Sequence, residues 1–97
     1  MKAIFISCNQ ALYDEVQQQM EKLGVKGYTA WEELIGAGGV NGEPHLGSTT
    51  WPTMNSAILT FVEDNQCDFL LAALKEFDEK NPQLGLRAFW WNVGGSF

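Results

Sequence analysis

Hydrophobic and polar positions along the chain fall into four short extended stretches and two helical ones. Residues 2–7 carry Ile4, Phe5 and Ile6 in a β-branched and aromatic run, the pattern of a buried strand. The period then lengthens. Leu12, Val16, Met20 and Leu23 recur at helical spacing from about Gln10 to Leu23, with Asp14, Glu15, Gln18 and Glu21 on the opposite side. Asn9 suits the N-cap of that helix and Gly24 its end. A second strand is expected over residues 27–35, with Tyr28, Trp31 and Leu34.

Regular patterning stops at residue 36 and resumes at residue 55. Residues 36–54 hold Gly36, Gly38, Gly39, Gly42 and Gly47 together with Pro44 and Pro52, which predicts a long loop. Loops beyond about 12–15 residues in a compact domain are uncommon and usually functional. A third strand follows over residues 55–62, centred on Ala57–Ile58–Leu59–Thr60–Phe61–Val62. Asp64 or Asn65 is expected to cap a second helix with Cys67, Leu70, Leu71, Leu74 and Phe77 as its apolar stripe, and Asn81–Pro82 to end it. Residues 86–93 read as a fourth strand, and residues 94–97 as a loose tail.

The order strand, helix, strand, long loop, strand, helix, strand is the split βαβ pattern of a ferredoxin-like α+β fold, here one domain over residues 1–97. Two helices cover one face of a four-stranded antiparallel sheet. Strand residues alternate between faces, so Phe5 opposes Ile4 and Ile6, Ile58 opposes Leu59, and Trp90 opposes Trp91. Both faces are therefore apolar, and the uncovered one is expected to be buried between subunits. Four Trp, six Phe and two Tyr in 97 residues reinforce this expectation, since so short a chain has limited means of burying them.

Charge narrows the class of function. Twelve acidic residues against six basic ones give a net charge of −6, and no two basic residues are adjacent, which disfavours nucleic acid as a partner. No apolar run approaches the roughly 20 residues that a membrane-spanning helix needs. The opening Met1–Ile6 run halts at Ser7–Cys8–Asn9, too short for a secretion signal, so a cytoplasmic location is expected. Cys8 and Cys67 then read as two buried thiols.

Sequence segments spread over the whole chain resemble the PII signalling superfamily, with its divalent-cation-tolerance relatives. They are Lys2–Ala3–Ile4–Phe5–Ile6, Gly27–Tyr28–Thr29–Ala30, Gly36–Ala37–Gly38 entering the loop, Val62–Glu63–Asp64 opening the second helix, and Gly85–Leu86–Arg87–Ala88–Phe89 opening the last strand. The resemblance implies a homotrimer, ligand clefts between subunits, and a shape-changing loop between strands two and three that contacts a protein target, for example a membrane transporter. Arg87 matches a basic phosphate contact, and Gly36 and Gly38 lie at the matching loop base. Trp90, Trp91 and Asn92 stand where further basic residues would follow, and the loop has no tyrosine to be nucleotidylated. A divergent, regulatory member is expected rather than an enzyme.

Within the loop, Gly36–Ala37–Gly38–Gly39–Val40–Asn41–Gly42 could wrap a phosphate through backbone N–H groups, although it is neither a Walker loop nor GxGxxG. Glu43 and His45, two residues apart, form a candidate pair of ligands for a divalent metal ion, with Glu32, Glu33, Met54 or a neighbouring subunit completing the set. The alternative is an exposed histidine. Trp51, in a stretch of Thr and Pro, is a candidate aromatic anchor for a partner, or else packs over the loop base. Trp90 and Trp91 are expected in the trimer core and cleft wall. Catalytic pairings such as Cys8 with His45, or Glu32 with Glu33, lack a spacing that fixes their geometry. A nucleotide and a divalent metal ion thus remain the candidate ligands.

Overall fold

The computed structural model describes residues 1–37, 44, 46–47 and 54–97. Strands β1 (Lys2–Asn9), β2 (Tyr28–Leu34), β3 (Asn55–Val62) and β4 (Arg87–Asn92) form one antiparallel sheet in the order β2-β3-β1-β4. Helix α1 (Tyr13–Lys22) joins β1 to β2, and α2 (Asp64–Lys80) joins β3 to β4. Each crossover skips one strand, which is the ferredoxin-like split βαβ arrangement.

Local chemistry explains where element boundaries depart from the sequence pattern. β1 continues past Ser7 because Cys8 and Asn9 still pair with Ser56 and Asn55. The run beginning at Gln10 opens as a 3₁₀ turn, Gln10–Leu12, whose first residues are held by Asn9: its Oδ1 accepts the Ala11 N–H at 2.9 Å. Helix α2 is capped by Glu63, not by Asp64 or Asn65. Gln66, three residues on, accepts the Glu63 N–H at 3.2 Å, the return half of a capping box. Asn65 accepts from the Gln66 N–H at 2.9 Å instead. Gly24 follows α1 with φ of 75°, a conformation that costs a residue with a Cβ far more.

One sheet face builds the core. Ile4, Ile6 and Cys8 of β1 and Ile58 and Val62 of β3 meet Leu12, Val16 and Met20 from the first helical segment and Cys67, Leu70 and Leu74 from α2. Burying each large aliphatic side chain contributes roughly 1.5–3 kcal/mol, which makes this layer the main source of stability. Two hydroxyls lie in it fully buried, and both are satisfied: Thr60 Oγ1 donates to the Gly27 carbonyl at 2.7 Å and Ser56 Oγ to the Glu32 carbonyl at 2.7 Å.

The Glu32 bond marks a bulge. Trp31 pairs with Ala57 and Leu34 with Asn55, so β2 spends one more residue than β3 between these pairs. Simple alternation therefore fails at Glu32 and Glu33, which the pattern alone placed on opposite faces. The carbonyl released from the ladder takes a second hydrogen bond, from Gln10 Nε2 at 3.1 Å.

Candidate functional site

The helix-free sheet face divides into a polar end and an aromatic end. Strand register sets out its rows. Nearest the loop base, Asn9 of β1 pairs with Asn55 of β3; next come Trp31, Ala57, Ser7 and Arg87, one from each strand. Farther along lie Thr29, Leu59, Phe5 and Phe89, and then Phe61, Ala3 and Trp91. The far rows leave Phe61 55%, Phe89 61% and Trp91 49% exposed, while Ala3, paired between Phe61 and Trp91, is fully buried. The near rows offer amides and a hydroxyl beside Trp31, with only the Cβ end of Arg87 at the β4 edge. One face thus carries an adhesive region and a hydrogen-bonding region.

Gly36 is at the polar end. A Cβ there would collide with Nδ2 of Asn55, so the absence of a side chain lets the outgoing loop backbone lie directly against the start of β3. The returning strand is fixed as well: the Gln10 N–H donates to the Met54 carbonyl at 3.0 Å, and Gly47 packs on the Met54 side chain. Both ends of the loop are thereby joined to the sheet beside Asn55.

Arg87, the sole arginine of the sequence, opens β4 at the outer edge. Its partner across the ladder is Ser7, which places its Cβ on the helix-free face. The guanidinium turns round the edge strand: Nη1 donates to Asp78 Oδ1 at 3.4 Å and to the Leu86 carbonyl at 2.6 Å. Asp78 belongs to the last turns of α2. Between α2 and β4 lies a groove of about 370 Å³ with Leu71, Leu74, Leu86 and Ala88 as its apolar lining, Trp90 as a wall, and Lys75, Asp78 and Arg87 as its charged groups. Trp90 and Trp91 therefore serve different surfaces, Trp90 the groove and Trp91 the helix-free face.

Of the residues singled out from the sequence, the structure brings Gly36 and Arg87 to the same end of the sheet. Gly38, Glu43, His45 and Trp51 lie outside the described residues. Among the described residues no cluster of three or more His, Cys, Asp or Glu is placed to hold a metal ion. Glu32 and Glu33 are exposed on β2. Cys8 is in the core, where burial pushes its thiol up to about 11, so it is protonated at neutral pH. Burial raises Cys67 too. Tyr13 is raised by burial first and by the nearby Glu32 second, and its hydroxyl accepts from Gln17 Nε2, which also donates to Tyr28.

Sequence reasoning missed Asn9, Ser7, Asn55 and Asp78 as companions of Gly36 and Arg87. The first three are ordinary strand residues until the register is known. Asp78 did carry a signal, a carboxylate nine residues before the arginine with only the Pro82–Leu84 turn between their elements.

Comparison with solved structures gives the same architecture. A protein described as a PII-like signalling protein from Thermus thermophilus superposes with a TM-score of 0.69 at 26% identity, over 95% of this chain and 85% of that one. CPII, a nitrogen regulatory PII-like protein from Thiomonas intermedia K12, bound to ADP, AMP and bicarbonate, matches with a TM-score of 0.72 at 22% identity, over 97% of this chain and 88% of its own. The apo form of CPII matches at 0.63 and 19%, over 98% and 92%. No curated protein matches the chain in sequence. No helix among the described residues is long and apolar enough to cross a membrane. The family model for nitrogen regulatory protein P-II matches residues 1–93, nearly the whole sequence, and the chain belongs to that family.

Proposed function

We propose that this single-domain chain is a regulatory, non-catalytic PII protein. In this reading it is a cytoplasmic homotrimer that binds an adenine nucleotide in clefts between subunits and reports occupancy through the loop of residues 36–54. The observation that supports the reading is that the glycine-bearing loop base, beside β3, and the only arginine, on the opposite edge strand β4, lie at the same end of the sheet. Gly36 and Gly38 would let backbone N–H groups approach the ligand, and Arg87 would supply the planar fork that matches phosphate oxygens. The ligands of CPII, ADP, AMP and bicarbonate, support a nucleotide over a metal ion here. Glu43, His45 and Trp51 would belong to the partner-contacting part of the loop, and a membrane transporter is the partner class proposed.

Signalling requires that the ligand bind two loop states with different affinity; tight binding alone shifts nothing. A binding screen with ADP, AMP, bicarbonate and zinc tests the reading. ADP at 100 times its dissociation constant is expected to stabilise the fold by about 2.7 kcal/mol, visible as a rise in melting temperature. Arg87→Ala should weaken ADP at least tenfold, as removal of a charged hydrogen bond of about 1.5–3 kcal/mol implies. Stabilisation by zinc alone, with ADP inert, overturns it.

A further inference from the structure

We propose that Asp78 is a built-in competitor for the nucleotide phosphate and lowers the affinity with which Arg87 receives it. The inference rests on the assignment of Arg87 as a phosphate contact. The geometry behind it is the detour of the arginine side chain. Its Cβ stands in the row of Ser7, on the helix-free face, yet Asp78 holds the guanidinium on the other side of the edge strand. A phosphate held on the helix-free face, as the proposed function has it, draws the guanidinium away from Asp78. Occupying the site means exchanging a carboxylate for a phosphate.

The ion pair is made to be exchanged. Its N–O distance is 3.4 Å, and the two side chains are 63% and 37% exposed. Both guanidinium contacts among the described residues run through Nη1, so the bidentate fork is unused. Exposed pairs of this kind shift an equilibrium by only about two- to fivefold. Asp78 also sits near the C-terminal end of α2, where the helix dipole disfavours a negative charge. A nearby cation is thus useful to it, and Lys75, one turn earlier beside the same groove, remains when Arg87 leaves. The swing therefore leaves no carboxylate stranded in an apolar site.

Competition of this strength lowers the affinity of any anion that engages Arg87 by a modest, common factor. The apparent affinity of a ligand falls by the fraction of arginine that is free to receive it. A nucleoside di- or triphosphate, offering several oxygens to the whole fork, displaces one loosely held carboxylate.

Calorimetric titration of ADP into wild type, Asp78→Asn, Arg87→Ala and the double variant tests this. Asp78→Asn is expected to tighten ADP two- to fivefold, and the gain should vanish in the Arg87→Ala background. Asp78 is partly exposed and its replacement nearly isosteric, so the variant is expected to fold as wild type does, and a thermal melt of each variant checks it. Unchanged or weaker ADP binding in Asp78→Asn overturns the competitor role, as does a gain that persists without Arg87, which would reflect general removal of negative charge. The parent reading fails differently: ADP then does not bind wild type, or binds it and ignores Arg87→Ala. Either result removes the competitor role with it.

Discussion

At Gly36 the nearest obstacle to a side chain is the amide end of Asn55, a movable group rather than backbone. Gly36→Ala is therefore expected to cost about 1 kcal/mol, at the low end of the range for overpacking, by pushing Asn55 aside. The double-mutant cycle separates this contact from a generic effect of alanine. In an Asn55→Ala background the cost should fall by about 0.5 kcal/mol or more, measured by urea denaturation. An undiminished cost would mean that the glycine is needed for something other than this close approach. Sequence patterning marked Gly36 as the loop's first glycine, but Asn55 became its partner only through the pairing of β2 with β3. A glycine's reason for being where it is lies in what approaches it, and the approaching residue is distant in sequence.

The strands and helices were legible because their physics is local. Period-two and period-3.6 apolar spacing located all six elements, and residues 55–62 were assigned with their observed ends. The β2 bulge was not legible, since it arises from an unequal residue count between two strands. Its stability depends on buried hydroxyls. Ser56→Ala leaves the Glu32 carbonyl with only its Gln10 bond and is expected to destabilise the fold by about 0.5–1.5 kcal/mol; Thr60→Val removes the side-chain donor to the Gly27 carbonyl and is expected to cost about 1–3 kcal/mol. These residues lie on one strand four positions apart, with separate acceptors, so the two losses should add within about 0.5 kcal/mol. Chemical denaturation of the two single variants and the double decides this. Strong non-additivity would show that β2 docks through one coupled unit, with the bulge and the strand start responding together.

On the scale of the whole molecule, the proposed trimer draws on the aromatic end of the helix-free face. Phe61, Phe89 and Trp91, with Trp31 at 43% exposure nearer the loop base, leave roughly 400 Å² of ring surface in water, taking about half of 150–250 Å² for each. At about 25 cal/mol per Å² this is on the order of 10 kcal/mol per chain, comparable with the entire stability of a domain. A patch of this size, within the range of about 300–600 Å² for the largest apolar patch on a monomer, is often a functional surface. In the proposed trimer the polar rows beside it would line the clefts, so cover and chemistry would come from one surface. Light scattering on the wild-type chain is expected to give about 32 kDa, three times 10.8 kDa. Phe89→Glu places a carboxylate in the patch, on its β4 edge, and should shift the mass toward a single chain while α2 and the core, on the other face, keep the fold. ADP affinity should fall with the trimer in that variant if, as proposed, the ligand lies between subunits. A monomeric wild type would leave the aromatic rows unexplained, and a monomeric Phe89→Glu that binds ADP as well as wild type would place the whole site within one chain.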